Sequence, residues 1–184
     1  YLEATQCSKA SYIPCATPIL PRENLILDQN TQVNLELIDQ SATSLFWVLN
    51  RCRTPMGKRM LREWITSPLQ DIEAIEARQE MIERLTGDPH LRARLGEQLS
   101  GCRDMGKSLS RLTLNMGSPA DMLVIKETLS LAPDLQALIA GEPAFAQLIP
   151  ACDTAALAAL LQAAVADTVP RFLRHGGVIT GGFD

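Results

Sequence analysis

Two hydroxyl–proline pairs, Thr54-Pro55 and Ser118-Pro119, constrain this chain more than any other feature. A side-chain oxygen followed by proline marks a helix start. The oxygen accepts a bond from a first-turn amide, and proline at the first helical position forfeits no hydrogen bond. Ser118-Pro119-Ala120-Asp121 adds an acid at the third helical position, which strengthens the signal. Ser67-Pro68, Gly87 with Pro89, and Gly101 are stop signals of the same clarity. A chain punctuated this way folds into short helices with short connections, and neighbouring helices pack antiparallel.

Apolar spacing agrees. Leu45, Val48, Leu49 and Cys52 fall on one helical stripe, and Met56, Met60, Leu61, Trp64 and Ile65 continue as an apolar face after Pro55. Asp71 caps a helix with the stripe Ile72, Ile75, Ile82 and Leu85, whose outer face offers a Glu80–Arg84 pair one turn apart. Leu91, Leu95 and Leu99 form the next stripe. Met105, Leu109 and Leu112 form another, and Met122, Ile125 and Leu129 a third that runs up to Pro133. In the stretch from Thr154 to Ala166, Leu157, Leu160, Leu161 and Val165 are expected to face inward. About eight helices result, counting a helix tail before residue 11. Three segments read as strands: Leu25-Ile26-Leu27, the alternating Val33, Leu35 and Leu37, and Gly176-Gly177-Val178-Ile179. A helical turn from Thr31 competes with the second. The fold class is therefore mainly α, with a small β element near the N-terminal end. Aromatic residues make up only 4% of the chain, so Leu, Ala, Ile and Val must fill the core, which suits packed helices better than a sandwich.

The residue types exclude more chemistry than they offer. His90 and His175 lie far apart, without a Cys, His or carboxylate at metal-ligand spacing. Cys7, Cys15, Cys52, Cys102 and Cys152 show no short paired spacing, which fits reduced thiols in a cytoplasmic protein. The glycines from Gly176 to Gly182 fail as a phosphate loop because no Gly-Lys-Ser/Thr follows them. No nucleophile, metal cluster or phosphate loop is apparent, so no catalytic, cofactor-binding or metal-binding residue is assigned. No apolar run reaches the ~18 residues of a membrane span. Tyr1 stands where a start methionine would, and the chain reads as an internal piece.

One basic cluster remains. Arg51, Arg53, Lys58, Arg59 and Arg62 gather around the helix that Pro55 opens. Lys58, Arg59 and Arg62 are the candidate nucleic-acid contacts. The net charge of −4 argues against a surface dominated by phosphate contacts but leaves room for a local patch. No aromatic residue is interleaved to stack bases, so a solvated or inter-domain face is the better reading.

These residues carry a resemblance. Leu27-Asp28, Thr31 and Asn34-Leu35-Glu36-Leu37 resemble the start of the core (lever) domain of MutS-family DNA mismatch-repair proteins. Thr54-Pro55-Met56-Gly57, Arg59, Leu61, Trp64, Pro68-Leu69 and Asp71 are similar to that family's most recognisable core motif, followed by Arg78 and Gln79. Asp104, Leu109, Ser110-Arg111-Leu112 and Ser118-Pro119 continue it. Asp167, Pro170, Gly176-Gly177-Val178-Ile179 and Gly182-Phe183-Asp184 resemble the segment leading towards the clamp. One departure is Met105-Gly106-Lys107, where the family usually has a Leu-Glu-Arg-like triplet. A glycine inside a helix costs about 1 kcal/mol relative to alanine, so that helix is expected to be weaker or to start later. Any ion pair normally given to that Glu is in doubt.

The resemblance implies residues 1–22 as the tail of a connector domain with its linker, and 23–184 as the first segment of the core. It implies a parent that is a homodimeric, DNA-dependent ATPase using ATP and Mg. That parent would bind mismatched double-stranded DNA and recruit a MutL-type protein in the cytoplasm. The segment itself is then a non-enzymatic structural and allosteric piece coupling clamp to ATPase. An isolated first half of the core is expected to expose an apolar face and self-associate. The competing reading is an unrelated α-helical protein-interaction scaffold.

Overall fold

A computed structural model describes residues 24–39, 43–148, 154–171 and 173–183. The expected connector tail, residues 1–22, lies outside them, as do Cys7, Cys15 and Cys152.

Nine α-helices follow one another among the described residues: α1 Gln29–Asn34, α2 Leu45–Leu49, α3 Pro55–Thr66, α4 Ile72–Gly87, α5 Pro89–Ser100, α6 Met105–Thr113, α7 Pro119–Ser130, α8 Ala132–Ile139 and α9 Ala155–Ala164. Two 3₁₀ turns, Pro143–Leu148 and Leu173–His175, complete the order. Most starts rest on a capping side chain. Thr54 Oγ1 accepts from the Gly57 amide at 2.9 Å, and Asp71 Oδ2 from the Ala74 amide at 3.0 Å. Asp88 caps α4 at its end and α5 at its start, accepting from the Leu91 amide at 2.9 Å.

The core lies where α7 crosses α9. Ile125 and Leu129 of α7 meet Leu161, Ala164 and Val165, with Met105, Leu112 and Met122 packed around them. α7 is buried on several sides because α6, α8 and α9 all pack on it. α5 packs on both α4 and α8, and α4 also holds the 3₁₀ turn whose Phe145 is 3% exposed.

The small N-terminal β element is replaced by helix. Asp28 accepts from the Thr31 amide and hydroxyl, both at 2.9 Å, and this cap starts α1 where alternation favoured a strand. Leu25-Ile26-Leu27 is neither buried nor a strand: Ile26 is 71% exposed, and only Asn24 bridges, with Leu69. The glycine-flanked segment likewise reduces to one antiparallel bridge, Val165 with Ile179. Pro133 does not end a helix; it lies in the first turn of α8. Two side-chain expectations also change. Leu157 and Leu160 are exposed, whereas Leu161 and Val165 are buried. Arg84 pairs with Glu142 rather than with Glu80, because the turn after α8 brings a carboxylate that both guanidinium arms grip at 2.5 Å.

Candidate nucleic-acid interface

The Thr54-Pro55-Met56-Gly57 block builds the start of α3. Thr54 is 7% exposed, so its hydroxyl caps the helix from inside the fold. A Cβ on Gly57 would lie 3.0 Å from that hydroxyl and 3.6 Å from Cys52 Cβ, so the site favours glycine for space. The cap, the proline and the close approach together fix where the basic side chains of the first two turns project.

Those side chains do different things. Lys58 is exposed, and no ion pair joins it to a described carboxylate. Arg59 is engaged: Nη1 meets Asp104 Oδ2 at 2.5 Å and Nη2 meets Oδ1 at 3.0 Å. The Arg59 guanidinium holds the Asp104 carboxyl below the usual carboxylate range, and the Lys107 amide adds to the effect. Asp104 in turn raises Arg59 further. Arg62 lies over the Phe46 ring at 5.1 Å, and Arg78 lies over Trp64 at 3.6 Å, tying α4 to α3. The basic cluster is thus partly a set of ties between elements. Trp64 and Met60 are 38% and 54% exposed, so the apolar face of α3 is only partly covered; Ile65 is its buried member.

Asp104 also caps α6, accepting from the Lys107 amide at 3.1 Å. Gly106 therefore occupies the first turn of α6 rather than its interior, and the helix begins at Met105 without delay. Asp104, one position before the triplet, pairs with Arg59.

A phosphate-loop pattern escaped the sequence reading. Gly101-Cys102-Arg103-Asp104-Met105-Gly106-Lys107-Ser108 has Gly, four residues, then Gly-Lys-Ser. The geometry does not fit a nucleotide. Helix α5, not a strand, precedes it, and Gly101 keeps right-handed helical angles. The Asp104 carboxylate occupies the α6 N-terminus where a phosphate would bind. Ser108 is 6% exposed and bonds Asp121. Among the described residues no three His, Cys, Asp or Glu side chains cluster to hold a metal ion. The residues of this segment do not fit ATP or Mg.

The remaining motif residues are structural ties. Burial pushes the Asp121 carboxyl up, but bonds from Ser118 and Ser108 and the Arg111 charge hold it below its ordinary value. The Ser118 amide and hydroxyl reach it at 2.8 and 2.7 Å, and Arg111 Nε at 3.3 Å. Gly176 and Gly177 take φ of 67° and 72°, angles that disfavour side chains, and so return the chain for the Val165–Ile179 bridge. Lys126, which no sequence signal picked out, is 5% exposed and donates to Val165 O at 2.5 Å and Asp167 Oδ1 at 2.8 Å. Cys102 is buried, and burial raises its thiol, as expected of a packing cysteine. No helix among the described residues is long and apolar enough to cross a membrane.

Comparison with known proteins places this geometry in context. The family model for MutS domain III matches residues 30–181. The chain is 32% identical over 192 aligned residues to "DNA mismatch repair protein MutS" of Streptococcus pneumoniae (strain Hungary19A-6), covering 100% of this chain. It is equally similar to "DNA mismatch repair protein HexA" of Streptococcus pneumoniae serotype 4 (strain ATCC BAA-334 / TIGR4). The chain spans 23% of the length of each of these relatives.

Proposed function

Because this chain belongs to the MutS domain III family, we propose that it is the core, or lever, segment of a DNA mismatch repair protein, coupling a DNA clamp to an ATPase. The observation that carries this reading is the alignment of the whole chain with proteins named for mismatch repair. An unrelated scaffold would not match along its full length. The parent is then a homodimer that binds mismatched double-stranded DNA, hydrolyses ATP with Mg, works with a MutL-type partner and resides in the cytoplasm. Lys58 is the candidate that no described ion pair or ring engages; Arg59 would have to leave Asp104 first, and Arg62 the Phe46 ring.

Coupling needs elements that move as units, and the cross-ties supply them. Arg59–Asp104 joins α3 to α6, Arg84–Glu142 joins α4 to the turn after α8, and Lys126 joins α7 to the segment after α9. The Lys126 tie is the informative one to cut. It anchors the stretch that, in the resemblance, runs on towards the clamp.

The test uses the full-length protein with Lys126→Met, measured for ATP hydrolysis without DNA, with matched duplex and with mismatched duplex. Basal hydrolysis should persist while mismatch-dependent stimulation falls severalfold. Normal stimulation in the variant would sink the coupling role. A wild-type protein indifferent to mismatches would sink the repair assignment itself.

A further inference from the structure

Six of the twelve described guanidiniums meet a carboxylate or an aromatic ring. Arg59, Arg84, Arg103 and Arg111 each face a carboxylate, and Arg62 and Arg78 lie over aromatic rings. Three others converge on one groove. Arg51, Arg53 and Arg92 line a cavity of about 870 Å³ between the turn before α3 and helices α4 and α5. Arg51 bonds only the Asn50 carbonyl, at 3.3 Å, and no described carboxylate pairs with any of the three. The groove is not simply polar. Leu85, Leu95 and Leu99 also line it, with Leu99 38% exposed, and Glu97 is its one acid.

We propose that this groove docks an acidic amphipathic helix of a partner protein. The leucines call for apolar side chains spaced three and four apart, and the arginines for carboxylates flanking that stripe. A guanidinium fork grips a carboxylate bidentately, as Arg59 and Arg84 do internally. The groove runs beside α5, whose 12 residues span about 18 Å, enough for roughly three turns of a docked helix. Duplex DNA satisfies the arginines but leaves the leucines against water, and no aromatic side chain lines the groove to stack a base. The leucine floor therefore favours a peptide.

The proposal stands apart from the repair assignment, whose mismatch assay involves none of these arginines. Its test is fluorescence anisotropy with the full-length protein and a labelled peptide of about five helical turns. The peptide carries Leu at i, i+3, i+4 and i+7 with Glu on both flanks, and a second peptide carries Gln in place of Glu. The acidic peptide should bind at least tenfold more tightly than the Gln peptide. Arg53→Glu with Arg92→Glu should abolish that preference without lowering the melting temperature, and Leu99→Asp should weaken both peptides. Equal binding of the two peptides overturns the proposal, as does binding indifferent to the charge reversal. So does a charge reversal that weakens only duplex binding, which would make the groove a nucleic-acid surface, or one that only dissociates a dimer of the protein.

Discussion

Arg59 and Asp104, 45 residues apart in sequence, form a two-armed ion pair that joins α3 to the N-terminus of α6. The carboxylate does two jobs, since it also caps α6 through the Lys107 amide. Removing the acid costs both, whereas removing the base costs only the tie. Asp104→Ala should therefore lower the denaturant midpoint more than Arg59→Ala, and Asp104→Asn should recover part of the loss because Asn still caps. Chemical denaturation followed by circular dichroism reads the order. Equal effects of Arg59→Ala and Asp104→Ala would show that the cap contributes nothing.

The buried end of Lys126 predicts a larger effect. Its ammonium is the partner of a carbonyl on Val165, a residue 1% exposed, while Asp167 is largely in solvent. Lys126→Met keeps the stem but leaves that carbonyl without its bond, at a cost of about 1–3 kcal/mol. Asp167→Asn should cost much less, since an 88% exposed side chain is already hydrated. Thermal melts of both variants decide it, and a milder Lys126→Met than Asp167→Asn would reverse the assignment.

Two glycines separate backbone need from space. A Cβ on Gly106 would meet nothing closer than Asp104 Oδ1 at 3.8 Å, so Gly106→Ala should be neutral or stabilise by about 0.5 kcal/mol. A Cβ on Gly117 would press on Leu112, 2.9 Å from Cγ and 3.0 Å from Cα. Because the second contact is backbone, the α6–α7 turn must shift, and Gly117→Ala should cost about 1–3 kcal/mol. Comparable melts for the two variants would contradict this.

What the sequence made legible was whatever neighbours along the chain decide. Thr54, Asp71 and Ser118 announced their helix starts because a cap acts over three residues. The core-motif residues were legible too, through resemblance. Alternation at Val33, Leu35 and Leu37 misled because the Asp28 cap, a local helix signal, outweighs a two-residue period over so short a run. Long-range partners were silent. Nothing beside Arg84 pointed to Glu142 over Glu80, and nothing beside Lys126 announced a carbonyl 39 residues away. The Gly-x-x-x-x-Gly-Lys-Ser pattern shows the converse. A motif can match in register while its anion site is filled by the chain's own Asp104.

Acid should unfold this structure through its ties. Arg59 holds Asp104 low, Arg84 holds Glu142 low, the Lys126 bond holds Asp167 low, and the Leu91 amide does so for Asp88. Each folded value lies below the unfolded one, near 4 for a free carboxylate. The stabilisation is therefore complete above that range and is lost as pH falls through the depressed values. The urea midpoint should stay level from about pH 7 to about pH 5 and drop below about pH 4. A decline already under way between pH 7 and pH 5 would point to other groups.

The isolated chain should self-associate through its first helices. Leu45, Trp47, Val48 and Leu49 of α2 are 42–55% exposed, and Met60 of α3 is 54% exposed. Apolar side chains this close together form a patch rather than the scattered exposure normal on a monomer. Trp47→Lys with Val48→Glu removes apolar area from the centre of that patch. Neither side chain caps a helix or belongs to the α7–α9 core, so helicity should persist. Light scattering across a concentration series should show mass rising with concentration for the unmodified chain and staying near 20.1 kDa for the double variant. A concentration-independent monomer for the unmodified chain would mean that α2 and α3 are satisfied by the fold as it stands.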